Sequence, residues 1–241
     1  MEEINIFRDT KAIFFDYDNT LVSFDDKSNE ALMAVSEDIF NFIRENYSNV
    51  NISIEELKKL VIETSKSLDE EGVYDRKSWW QAVLNKLGIT AEIDDLYEWT
   101  QIYWSIASNN TPYEDALDLI EYLKRKNYKI GLITNSDGEW GDKKARISKF
   151  PLISYFDVII IGGENNIKPK PNVQPFIIAC EKLGLSTSQC IMIGDDPVKD
   201  CLAAKKAGFK SILVDRKGNV KYAELYADYV VENLKELEEI F

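Results

Sequence analysis

Apolar residues fall along the chain in three rhythms. From Lys11 to Phe15 they run almost unbroken, as a parallel strand buried on both faces requires. From about Phe24 to Asn110 they recur at helical spacing, in ALMAVSEDIFNFI, IEELKKLVIETSKSL, WWQAVLNKLGI and LYEWTQIYWSIA. Gly72, Gly88 and the pair Asn109-Asn110 mark the breaks, so the pattern predicts a block of helices and no strand there. After Pro112, strand and helix alternate. Strands are predicted at KIGLIT, DVIII, CIMIG, SILV and YADYVV, and helices at EDALDLIEYLKRKN, VQPFIIACEKLG, VKDCLAAKKAG and NLKELEEIF.

Alternation of this kind predicts an α/β fold, a doubly wound parallel sheet of Rossmann-like type with helices on both faces. The helical block follows the first strand and is predicted as an inserted cap. The expected division is 1–22 plus 111–241 for the sheet domain and 23–110 for the helical one. Ligands on such sheets bind outside the C-terminal strand ends, so those ends are where chemistry is sought.

The first strand ends in Asp16-Tyr17-Asp18-Asn19-Thr20 and the second in Thr134-Asn135-Ser136. A loop after the third holds Lys168-Pro169-Lys170, and the fourth ends in Gly194-Asp195-Asp196 with Asp200 close behind. Desolvated carboxylates side by side are costly and need compensation. An all-oxygen donor set of this kind favours Mg²⁺, and with a lysine it suits phosphoryl transfer.

Composition narrows the chemistry further. The 241 residues carry a net charge of -13, which gives no basic surface for nucleic acid or anionic membrane. Met1 to Arg8 has no signal-peptide pattern, no apolar run approaches a membrane span, and the three cysteines lack metal spacing. A cytoplasmic protein with reduced thiols is expected. There is no histidine, which removes His-based triads and His-ligated zinc.

DYDNT, ITNS, a Lys-Pro and GDDPVKD, in that order, resemble the four motifs of the haloacid dehalogenase-like hydrolase superfamily. The insert resembles that superfamily's C1 helical cap. The resemblance implies a phosphatase with Asp16 as nucleophile, forming an aspartyl-phosphate, and Asp18 as general acid and then base. It implies Thr134, with Asn135 and Lys170, at the substrate phosphate, and Mg²⁺ held by Asp16, Asp18 through its carbonyl, Asp195 and Asp200. Thr20 is expected to brace its loop. In the family pattern the lysine lies about 25 residues before the fourth-motif aspartate and about 6 before an apolar helix residue, which Lys170 meets and Lys168 misses.

Asp196 departs from the pattern, as a second ligand or a solvated loop acid. In isolation Asp16 and Asp18 would pass as turn residues and Lys170 as a surface lysine. Trp79, Trp80, Trp99, Tyr103 and Trp104 are expected mostly as cap core. Arg76 and Lys77 read as a solvated pair with a possible anionic contact. Asp18 disfavours a dehalogenase, which in family terms lacks that second acid. A small phosphorylated metabolite is the expected partner, for a monomer or homodimer, with no nucleic acid or membrane. A phosphomutase and a non-catalytic phosphate-responsive module are the rivals, and the scaffold by itself does not choose among them.

Overall fold

The computed structural model describes residues 7–241, so most of the stretch from Met1 to Arg8 lies outside the described residues. The chain divides into two compact units. One takes in the chain up to Ser23, Thr111–Ser136 and Lys144–Phe241; the other takes in Phe24–Asn110 and Asp137–Lys143.

The strands are β1 (Ala12–Phe15), β2 (Val22–Ser23), β3 (Thr111–Pro112), β4 (Lys129–Asn135), β5 (Val158–Gly162), β6 (Cys190–Gly194), β7 (Lys210–Val214) and β8 (Tyr229–Val231). Six of them form a parallel sheet in the order β5-β4-β1-β6-β7-β8, the doubly wound arrangement with its switch of direction beside β1. β2 and β3 make a separate antiparallel ribbon, Val22 opposite Pro112 and Ser23 opposite Thr111.

The helices of the second unit are α1 (Asp25–Asn46), α2 (Ile54–Glu70), α3 (Arg76–Lys86) and α4 (Ile93–Ala107). α5 (Glu114–Arg125), α6 (Lys143–Ser148), α7 (Gln174–Leu183) and α8 (Ala203–Ala207) follow.

The unbroken apolar run of β1 has a simple cause. Successive side chains of a strand point to opposite faces, and here both faces are covered. Ile13 and Phe15 join Leu119, Ile120 and Leu123 of α5 in one buried cluster. Ala12 and Phe14 join Phe176 and Cys180 of α7 and Ala203 and Ala204 of α8 in another.

Two predicted helices take other forms. NLKELEEIF is a 3-10 helix over Leu234–Glu239, where Asp115 and Glu236 accept the first backbone N–H groups and tighten the turn. VKDCLAAKKAG opens as a π-helical turn over Pro197–Leu202, with Asp200 and Cys201 both donating to the Asp196 carbonyl, before α8 begins.

In the helical unit, Trp79, Trp80, Trp99, Tyr103 and Trp104 belong to one buried cluster with Val35, Ile39, Val61 and Leu84. The reading of Arg76 and Lys77 as a solvated loop pair is corrected. Both lie on α3; Arg76 is buried and Lys77 pairs with Glu139. The hydrophobic pattern gives no sign that Asp137–Lys143 belongs to this unit. Gly138 makes the contact possible. A Cβ there would sit 2.5 Å from the Asp75 Cα and 2.6 Å from the Tyr74 carbonyl, and its φ of +80° suits glycine.

Candidate active site

Asp16 is the first residue past β1, and its N–H donates to the Ile193 carbonyl of β6 at 2.9 Å, so the sheet ladder itself fixes its position. The chain then turns tightly. Leu21 N–H donates to the Tyr17 carbonyl at 3.0 Å, and Asn19 holds the left-handed conformation with φ 57°, which asparagine tolerates. The turn brings Thr20 to Asp195, to which its hydroxyl donates at 3.2 Å. Thr20 therefore ties the first loop to the fourth.

Lys170 sits at the centre of the cluster, 4% exposed. Its Nζ donates to Asp16 Oδ1 at 2.8 Å, Asp200 Oδ1 at 2.5 Å and the Ile133 carbonyl at 2.8 Å. Asn135 holds the lysine's backbone from both sides: its Nδ2 donates to the Lys170 carbonyl at 3.0 Å and its Oδ1 accepts from the Lys170 N–H at 2.8 Å. Thr134, the residue before it on β4, is buried and stands in register with Ile161. Lys168 is exposed, and its backbone N–H donates to Gln174.

Asp16, Asp195 and Asp200 each bring a carboxylate oxygen within 4.8 Å of the others, a grouping that can hold a cation. Burial, then the charges of Asp16, Asp200 and Asp196, push Asp195 well above the usual carboxylate range. Burial raises Asp200 to about 7 against the pull of Lys170. Burial lowers Lys170, but the charges of Asp16 and Asp200 outweigh it and the ammonium is held firmly protonated. Gly194 permits the close approach of β6 to Asp200, since a Cβ there would lie 2.2 Å from Asp200 Oδ2.

The remaining acids divide by role. Asp196 caps the π-helical turn, accepting from the N–H groups of Val198 and Lys199 at 2.8 Å each. Asp200 accepts the Asp196 N–H at 3.1 Å as well as Lys170. Asp18 lies in the grip of Arg146, whose two terminal nitrogens each donate to one of its oxygens. Sequence reasoning missed Arg146. It follows the second strand in KKAR, where nothing in the periodicity separates it from solvated neighbours. The Tyr17 hydroxyl fixes the Arg146 carbonyl at 3.0 Å, so the residue between the two acids anchors the arginine.

Fold and site together define an α/β protein with a lysine-centred carboxylate cluster at the C-terminal ends of parallel strands. Over residues 10–208 the chain matches the family described as haloacid dehalogenase-like hydrolase, and it belongs to that family. It is 28% identical to the PpaX protein of Clostridium perfringens, spanning 89% of this chain and 86% of that one. It is 25% identical to N-acylneuraminate-9-phosphatase of Rattus norvegicus, spanning 94% and 92%. The crystal structure of a HAD phosphatase from Thermococcus onnurineus shares the fold, with a TM-score of 0.69 at 24% identity over 96% and 97% of the two chains. No helix among the described residues is long and apolar enough to cross a membrane.

Proposed function

We propose that the protein is a Mg²⁺-dependent phosphomonoesterase for a small phosphorylated metabolite, with Asp16 as its nucleophile. The supporting observation is Lys170 Nζ between Asp16 and Asp200, beside Asp195. Lys170 holds Asp16 Oδ1, which leaves Oδ2 to attack phosphorus. As the Asp16–phosphorus bond forms, the bond to the leaving oxygen breaks, and Asp18 gives that oxygen its proton. Asp18 then takes a proton from water, whose oxygen displaces Asp16 and yields inorganic phosphate. Arg146 orients the ionised Asp18, and one of its two hydrogen bonds opens for Asp18 to carry the proton that it gives and later takes back from water. Lys170 and the Thr134 hydroxyl serve the phosphoryl oxygens, and Asn135 keeps Lys170 in place.

The residues fit a hard divalent ion: the donors are all oxygen, and burial with like charge has raised Asp195 and Asp200. Asp16, Asp195 and the Asp18 carbonyl would hold it, with Asp200 chiefly steadying Lys170. Such an ion supplies neutralisation of the charge on the transferring phosphoryl group. We assign substrate selection to the helical unit, as the cap of this enzyme.

The test is phosphate release from para-nitrophenyl phosphate with and without Mg²⁺, beside Asp16→Asn. Turnover should require Mg²⁺ and fall below detection in the variant. Full activity in Asp16→Asn would overturn the assignment. N-acylneuraminate 9-phosphate and pyrophosphate head the panel of natural compounds, because relatives bear those activities in their names.

A further inference from the structure

Arg216 lies just past β7 in the sheet unit, on a turn that Asp215 closes by accepting the N–H groups of Asn219 at 3.1 Å and Val220 at 2.9 Å. Its guanidinium is engaged on three sides. Nη1 donates to Asp115 Oδ2 at 2.8 Å and Nη2 to Asp115 Oδ1 at 3.0 Å, the paired geometry in which an arginine meets a carboxylate. The guanidinium carbon stands 3.8 Å from the centre of the Tyr113 ring. Nη2 carries a second hydrogen, which it donates to the Thr20 carbonyl at 3.1 Å.

The arginine is mounted on a fixed support. Asp115 lies in the first turn of α5 and also accepts the Leu234 N–H at 2.8 Å. The residue that the arginine reaches is fully buried, and the Thr20 hydroxyl donates to Asp195 Oδ1. The next carbonyl of the loop, that of Leu21, accepts the Tyr113 N–H at 3.0 Å. Two successive carbonyls are thus pinned from outside the loop, and the pin at Thr20 is the charged and stronger one. Every residue of this path belongs to the sheet unit.

We propose that Arg216 is a positioning residue for the cation site: by holding the Thr20 carbonyl it aims the Thr20 hydroxyl, which in turn holds Asp195. The inference rests on the phosphomonoesterase reading, in which Asp195 is a ligand of Mg²⁺. A group that orients a metal's ligand without touching the metal changes its affinity by about 10- to 100-fold when it is removed.

The experiment measures Mg²⁺ binding to the full chain by calorimetry without substrate, alongside thermal melting and turnover of para-nitrophenyl phosphate. Arg216→Met should raise the Kd for Mg²⁺ about tenfold (about 1.4 kcal/mol). Thr20→Val, which removes the hydroxyl and keeps the carbonyl, should do the same. Both act along one path, so the double variant should bind no more than about threefold more weakly than either single one. Arg216→Lys, whose one ammonium stays with Asp115 and gives up the Thr20 carbonyl, guards against a folding failure and should raise the Kd about threefold. A merely structural brace would lower the melting temperature and leave the Kd within twofold of the parent in every Arg216 variant that folds, which would overturn the inference. Additive losses in the double variant would overturn it as well. No Mg²⁺ binding by the parent would overturn it together with the phosphomonoesterase reading. If the parent binds Mg²⁺ and the variants weaken as expected, but the parent turns nothing over, the inference stands and that reading falls.

Discussion

Lys170 is the residue on which most of the site's electrostatics converges. Asp16 and Asp200 both accept from it, and each partner alone would leave a buried charge exposed to its neighbours. Lys170→Met removes the charge at similar length. We expect activity to fall ~100-fold or more. Stability should drop by about 3–5 kcal/mol, as when one partner of a buried pair is lost. Urea titration with and without Mg²⁺ checks this, the ion restoring part of the stability and none of the activity. A variant matching the parent on both counts would make Lys170 a spectator. Choosing Lys170 over Lys168 was possible from family spacing alone. Lys170 is the lysine that lies among the carboxylates, and the two hydrogen bonds between Asn135 and its backbone are visible only in three dimensions. Arg146 was illegible for a related reason: its partner Asp18 lies 128 positions away, and periodicity records only whether a position faces inward.

At the scale of elements, the edges of the sheet are set by small polar brackets as much as by apolar packing. Asp157 precedes β5, takes the Ile130 N–H of β4 at 2.9 Å, and pairs with Lys129 and Lys124. Burial works to raise its pKa, but these partners win and hold it below its ordinary value of 3.8. A carboxylate with a depressed pKa in the folded state stabilises above its unfolded pKa and loses that contribution as pH falls through the folded one. Asp157→Asn should therefore be less stable than the parent at pH 6, with the gap closing as pH drops below 3.8. Denaturant midpoints across that range measure it, and a gap independent of pH would sink the account. Whereas β2 and β3, two residues each, are too short to show an apolar rhythm, the six strands of the parallel sheet and the helices α1 to α4 were readable in advance because burial on one or both faces dictates theirs. The 3-10 and π-helical turns were not, since both depend on single carboxylates, Glu236, Asp115 and Asp200, choosing backbone or lysine partners.

For the whole molecule, the informative fact is that each unit has its own core. One is built on the sheet with α5, α7 and α8, and the other on α1 to α4 around the tryptophans of α3 and α4. The chain leaves the sheet unit at Ser23 and re-enters at Thr111, and those two residues face one another in the β2–β3 ribbon. Replacing Phe24–Asn110 by an Asn-Gly turn, which suits a two-stranded ribbon, should leave a sheet unit that melts cooperatively by circular dichroism. Loss of any cooperative transition would show that the sheet depends on the insert. The same ribbon bears on how the chain finds its fold. Ala12 must pair with Lys129 across the entire insert, a separation that would ordinarily make folding slow. With the helices collapsed and the ribbon zipped, the path from β1 to β4 runs through the turn that ends at Leu21, the short β2–β3 ribbon and α5. The loop entropy still to be lost is then that of a short connection. The ribbon acts as a topological shortcut, and the rate at which the sheet assembles should follow the rate at which the helical block folds.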